Sequence, residues 1–195
     1  MLGCRYDLWV RRVVLGFLGL ALLAGCVARQ EALPDPSSTT ASTWAGPTCP
    51  KEGVSFRVAG SDAAMGLRVL TIDMVNCGRR PYTVNGYPSV RLFDEEHEPI
   101  EVAVLRGSGS ISSVPDFDNP PSEVTLRPGE KARSGLLWRN LVTDATVDAT
   151  TASYLEAAPA EGRPWQQVPN EDANPVHIDL GNTGQLGVQA WHKAP

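Results

Sequence analysis

Three observations predict an all-β fold, two packed antiparallel sheets of eight or nine strands, for the greater part of this 195-residue chain. Short apolar runs recur between turn signals. Helical periodicity is almost missing beyond the N-terminus, and 18 Gly and 16 Pro supply the breaks that many short strands need. With 42% hydrophobic and 20% charged residues, the composition is that of one folded domain plus appendages. A formal charge of -5 argues against nucleic acid, whose binders concentrate Lys and Arg to release phosphate counterions.

The first element is an export signal. Arg5, Arg11 and Arg12 precede an apolar run over 13–23, which closes on Leu23-Ala24-Gly25-Cys26. That run is too short for a membrane-spanning helix, which needs roughly 20 apolar residues. A cysteine directly after Leu-Ala-Gly resembles the bacterial lipobox, which implies diacylglyceryl transfer to the Cys26 thiol and cleavage before it, removing residues 1–25. The protein is therefore expected on the extracytoplasmic face of the cell membrane, its partner there being the bilayer itself through the lipid on Cys26. Arg11-Arg12-Val13-Val14-Leu15 also looks like a loose twin-arginine signal, so the general secretory and twin-arginine routes both stay open. Loss of residues 1–25 leaves 14 basic and 21 acidic groups. A net charge of -7 is expected to repel anionic lipid, so that the acyl chains and not the protein surface hold the domain in place.

Residues 26–47 follow as a tether, rich in Ser, Thr, Pro and Ala, with Leu33 and Trp44 its only bulky apolar residues after Val27. Such a coil reaches roughly 25 Å root-mean-square. Residues 48–195 are the expected domain. Val54-Ser55-Phe56-Arg57-Val58 alternates as a strand, and 67–75 places Arg68, Leu70, Ile72 and Met74 on one face, which is predicted to point inward. Further strands are expected over 90–93, 100–105, 123–126, 132–138, 153–157, 176–180 and 186–191. Turns are expected at Gly60-Ser61-Asp62, Cys77-Gly78, 94–99, Arg127-Pro128-Gly129-Glu130 and 181–184. Residues 140–153 read as loop and strand. Two long connections remain, 106–122 and 158–175, and long connections in a compact domain are functional loops or disorder.

Cys4 leaves with the signal and Cys26 carries lipid, so Cys49 and Cys77 remain. Outside the cytoplasm an isolated pair is most simply a disulfide, and a hairpin of the first two strands brings these two together. Closing that loop is worth roughly 3–4 kcal/mol. The competing reading is a metal or redox site. It is weakened by the absence of C-x-x-C, with only His97, His177 and His192 as imidazole ligands.

No G-x-S-x-G, H-E-x-x-H, S-x-x-K or phosphate-loop pattern occurs, so no catalytic residue, metal or cofactor is assigned. Asp94, Glu95, Glu96, Glu98 and Glu101 read as a solvated charged turn, with calcium the weaker reading. Asp116-Phe117-Asp118-Asn119 lacks the glycine and closing glutamate of a calcium loop. Asp116, Phe117 and Asp118, ahead of Pro120-Pro121, are instead a candidate recognition loop, an exposed aromatic giving contact area at low entropy cost. For Phe117 itself the favoured reading is that it folds down and caps the core.

The run Val75-Asn76-Cys77-Gly78-Arg79-Arg80-Pro81-Tyr82-Thr83-Val84-Asn85-Gly86-Tyr87-Pro88, followed by Val90-Arg91-Leu92-Phe93-Asp94, resembles the core motif of the actinobacterial domain-of-unknown-function 4232 family. Leu126-Arg127-Pro128-Gly129-Glu130-Lys131-Ala132 resembles that family's L-x-P-G-x-x-A turn. The similarity spans about Cys49 to Trp191. It implies a secreted or lipidated immunoglobulin-like β-sandwich and brings no activity or catalytic residues. It also matches Cys49 and Cys77 to the family's cysteine pair, although many members carry the second cysteine about where Tyr82 stands. On the residues alone, Gly86 permits a bend, Tyr87 plugs an edge and Pro88 starts a strand.

The function expected is a lipid-anchored, non-enzymatic module at the cell envelope, binding an envelope protein or polymer through the loops 106–122 and 158–175. Two alternatives stand beside it. An extracellular hydrolase with a dispersed site needs His177 or His192 close to an Asp and a nucleophile. An accessory subunit of a membrane complex needs a large apolar patch.

Overall fold

The computed structural model describes residues 48–170 and 175–195; the signal, Cys26 and the tether lie outside the described residues. The described part is all-β, with one short 3-10 turn at Pro115–Phe117. Its long strands are β1 (Val54–Ala64), β2 (Leu67–Asn76) and β8 (Lys131–Arg139). Between them lie β3 (Tyr82–Val84), β4 (Ser89–Phe93), β5 (Pro99–Ile100), β6 (Ala103–Arg106) and β7 (Val124–Leu126). After β8 come β9 (Thr150–Ala152), β10 (Tyr154–Ala158), β11 (Gln166–Gln167), β12 (Ile178–Gly181), β13 (Gln185–Val188) and β14 (His192–Lys193). The eight or nine expected strands become fourteen because several are two- or three-residue pairings that no periodicity can announce.

The largest sheet runs β1-β2-β8-β13-β6, with β14 also pairing β8; a second runs β11-β10-β4-β5. β9 pairs β12 and β3 pairs β7 as two-stranded ribbons. The pairing is antiparallel except that β6 lies parallel to β13, which departs from the expected all-antiparallel arrangement. One core joins these sheets. Phe56, Ile72, Met74 and Leu136 from the first meet Leu92 and Leu155 from the second, with Trp191 stacked on Phe56 at 6.2 Å between ring centres. Burying such side chains contributes about 1.5–3 kcal/mol each before chain entropy is counted.

The inward face of β2 is as its alternation predicts: Leu70, Ile72 and Met74 are buried. Two expectations need correction. Gly60-Ser61-Asp62 is not a turn but the outer arm of β1, and the chain reverses at Met65-Gly66, with φ 47° and 78°. A bulge between Val58 and Gly60 shifts the register at the base of this arm, whose residues are exposed, so turn-forming residues are tolerated in strand. The outward face of β2 is also not left to solvent, because the connection 106–122 folds across it. Ile111 and Phe117 make a small second core with Leu137, against Leu67 and Val69.

The expected disulfide pair is in place, Cys49 and Cys77 being bonded at 2.02 Å across the open end of the β1–β2 hairpin. Asn76 ties this end to the Pro128-Gly129 turn: its Nδ2 donates to the carbonyls of Arg80 and Leu126, each at 2.8 Å, and its carbonyl accepts from Gly129 N–H at 2.7 Å.

Candidate functional site

The two long connections meet the Gly86-Tyr87-Pro88 bend at one cleft of about 480 Å3. Arg106 and Pro121 come from the ends of the first connection, Glu161 from the second, and Asn85 and Tyr87 from the bend. Gly86 has φ 99°, which a side-chain-bearing residue adopts only under strain, and its carbonyl accepts from Trp191 N–H at 2.9 Å. Trp191 Nε1 in turn donates to the Pro159 carbonyl at 2.8 Å, so one buried aromatic fixes the bend and the start of the second connection together. Tyr87 packs its inner side against the core, while the Arg106 guanidinium lies 5.6 Å from its ring centre. Among the described residues neither Arg106 nor Glu161 has an ion-pair partner within 4.0 Å. The cleft therefore offers a carboxylate and a cation that have no ion-pair partner among the described residues, the cation resting against the Tyr87 ring. β6 ends the large sheet beside it, paired on one side only and exposing Val104.

A larger cleft of about 860 Å3 lies between the outer arm of β1 and β12. Ser61, His177 and Asp179 all line it, the three residue types a dispersed hydrolase would use. Both Asp179 oxygens are already engaged: Trp138 Nε1 donates at 3.0 Å, Asn140 Nδ2 donates to the other oxygen, and Arg68 stands at 3.6 Å. Burial pushes the Asp179 pKa up, but the Trp138 bond, its own backbone N–H, Arg68 and Asn140 together outweigh it and hold the group below its ordinary value. No hydrogen bond joins His177 to Asp179 or Ser61 among the described residues. Asp179 thus ties three strands' worth of side chains together. His97 sits at the tip of the acidic turn with φ 64°, its ring stacked on Tyr154, and His192 is exposed on β14.

Of the residues of the candidate recognition loop, Phe117 is 6% exposed, its ring pressed on Gly135 so closely that a Cβ there would stand 2.5 Å from it. Asp118 accepts from Ser108 N–H at 2.8 Å and from Ser108 Oγ at 2.7 Å, bonds that lower its pKa and close the loop on itself. Asp116 keeps an exposed carboxylate and lends its backbone carbonyl to Gln189 Nε2 at 2.7 Å. The acidic turn is likewise built for itself, Asp94 Oδ1 accepting from the N–H groups of Glu96 and Glu98. Among the described residues no group of three His, Cys, Asp or Glu is arranged to hold a metal ion.

Charge is distributed unevenly. On the outer face of the large sheet Arg57, Asp73 and Arg133 stand opposite one another on β1, β2 and β8. Asp73 is buried beneath three cations, Arg133 at 2.8 Å, Arg57 at 3.5 Å and Lys131 at 3.8 Å. Lys51, Arg79 and Arg80 surround the disulfide in a shallow cleft of about 430 Å3. The expected disulfide already implies that Lys51 stands near Arg79 and Arg80, but the acidic total drew attention away from a local cationic gathering.

The model of the family described as Domain of unknown function (DUF4232) matches residues 49–192. No curated protein matches the chain.

Proposed function

We propose that this chain, which belongs to the domain-of-unknown-function 4232 family, is an exported, lipid-anchored, non-enzymatic binding module whose sheets close as an immunoglobulin-like sandwich at the cell envelope. One observation carries the binding role: the Tyr87 cleft, where both long connections converge on a motif of the family resemblance and present Arg106 and Glu161 without ion-pair partners among the described residues. Its ligand is an envelope protein or polymer with an extended segment, laid along the open side of β6 and pairing charge with Arg106 and Glu161. The anchor is the diacylglyceryl group on Cys26. The recognition role first given to Asp116, Phe117 and Asp118 narrows to Asp116, since Phe117 is spent on packing.

A photo-crosslinker at Glu161, in intact cells, should give a discrete adduct that is lost with Arg106→Glu. A crosslinker at Asp62, on the outer arm of β1, should give none. No adduct from Glu161, or the same adduct from both positions, defeats the proposal. For the anchor, Cys26→Ser should abolish the acyl mass increment and release the mature chain from membranes; an unchanged mass overturns it.

A second reading, an accessory subunit of a membrane complex, has one observation in its favour. Met65, 98% exposed, adjoins a loop that exposes Leu141, Val142 and Val147 at the same end of the domain. Asn140 N–H donates to the Gly66 carbonyl at 3.0 Å and so holds the two together.

A further inference from the structure

We propose that the disulfide end of the domain is a docking surface for anionic phospholipid head groups, on which the anchored domain rests; the proposal builds on the lipid-anchor reading above. The net charge of the domain points the other way, since residues 48–195 hold 13 Lys and Arg against 19 Asp and Glu. What matters at a charged surface is the face presented, because potentials decay within about 8 Å at physiological salt.

Of the thirteen cations, Lys51, Arg79 and Arg80 line the cleft at the disulfide, and six more lie on the strands and turns that lead away from it. Five are tied to carboxylates: Arg57, Lys131 and Arg133 share Asp73, Arg163 holds Glu52 at 3.1 Å, and Lys193 holds Glu130 at 3.0 Å. The other four, Lys51, Arg79, Arg80 and Arg127, are exposed and make no side-chain ion pair within 4.0 Å among the described residues, although Glu130 Oε2 accepts from the Arg127 backbone N–H at 2.7 Å. Three of them flank the disulfide directly. Arg127 joins through the turn that Asn76 clamps beside Cys77. Glu161 stands on the turn that ends at Arg163. The acidic cluster over 94–101 lies on and beside the turn between β4 and β5.

Charge complementarity and chain connectivity agree on the occupant. The domain begins at Cys49, and only the residues between it and Cys26 separate this end from the acylated position. Whatever the tether does, the first part of the domain that follows the lipid is its cationic end. Arginine guanidinium groups bind phosphate diesters through paired N–H donors, and each cation brought to an anionic leaflet raises partitioning about fivefold.

The test uses the full chain carrying Cys26→Ser, so that no acyl group is present, in flotation with vesicles of phosphatidylcholine alone or mixed with phosphatidylglycerol. Retention should rise with phosphatidylglycerol and fall again in high salt. Arg79→Gln with Arg80→Gln should lower the phosphatidylglycerol-dependent part by about 25-fold, as two cations at about fivefold each require, while Arg68→Gln, at the opposite end of β2, leaves it unchanged. Equal retention on both vesicles, or equal loss in both variants, overturns the proposal without touching the acylation result. Binding to soluble polyphosphate with no vesicle retention assigns the patch to a free polyanion and also overturns it. Both arginines are exposed, and the structural bond at Arg80 uses its backbone carbonyl, so the variants keep the fold.

Discussion

Met65 holds a left-handed backbone, φ 47°, with a side chain that touches almost nothing. The two-residue turn it forms with Gly66 asks for positive φ at both positions, which Asn and Gly supply at little cost. Met65→Asn should therefore raise stability by about 1 kcal/mol, read as an upward shift of the denaturant midpoint; no shift would mean that the turn relaxes freely. Asp73 is the opposite case, a buried carboxylate whose loss leaves three cations facing one another. Asp73→Asn should destabilise by about 3 kcal/mol, whereas Arg57→Ala, which removes a half-exposed partner at 3.5 Å, should change stability by less than about 1 kcal/mol. Asp179 carries a pH signature. Its folded-state pKa is depressed, so its contribution is complete above the ordinary carboxylate range and is lost as pH falls through the lowered value. Asp179→Asn should flatten the acid limb of the stability profile; an unaltered slope would remove Asp179 from that account.

The β1–β2 hairpin and the 106–122 connection show how far elements were legible. The inward stripe of β2 was readable because alternation reports burial directly. The turn was misplaced because Gly60-Ser61-Asp62 has stronger local turn chemistry than Met65-Gly66, and it is pairing with β1 on one side and β8 on the other, out to Leu67, that holds β2 in its full length. The connection looked structureless because its apolar anchors, Ile111 and Phe117, are spaced by no period; their meaning lies in Gly135, a gap on another strand. Tyr87 was visible in its motif, but its meeting with Arg106 and Glu161 depends on chain crossings that no local pattern encodes. Two outcomes follow for these elements. Phe117→Ala should cost about 3 kcal/mol and loosen 106–122 to hydrogen exchange while sparing the main core; exchange unchanged there would show that the loop is held by Asp118 and Ser108 instead. Reducing the Cys49–Cys77 bond should lower stability by about 3–4 kcal/mol, since it closes a loop of separation 28 across the hairpin's open end.

At the scale of the whole molecule, composition reports a sum and folding decides a distribution. An acidic total conceals a cationic end, because Lys51 meets the neighbouring Arg79 and Arg80 through the disulfide and Arg127 joins them through the Asn76 clamp. Such a concentration repels itself. Lys51, Arg79, Arg80 and Arg127 make no compensating ion pair among the described residues, so the folded state holds like charges closer than the unfolded chain does. Replacing Arg79 or Arg80 by Gln should therefore stabilise the domain at low ionic strength, by up to about 0.5 kcal/mol each. The gain should fade as salt screens the repulsion. A purely structural arginine would behave in the reverse sense, its removal lowering the thermal midpoint at every salt concentration. Thermal unfolding of the single variants across a salt series separates the two, and a loss of stability that ignores salt would show that these side chains are held by the fold and are not free to meet a surface.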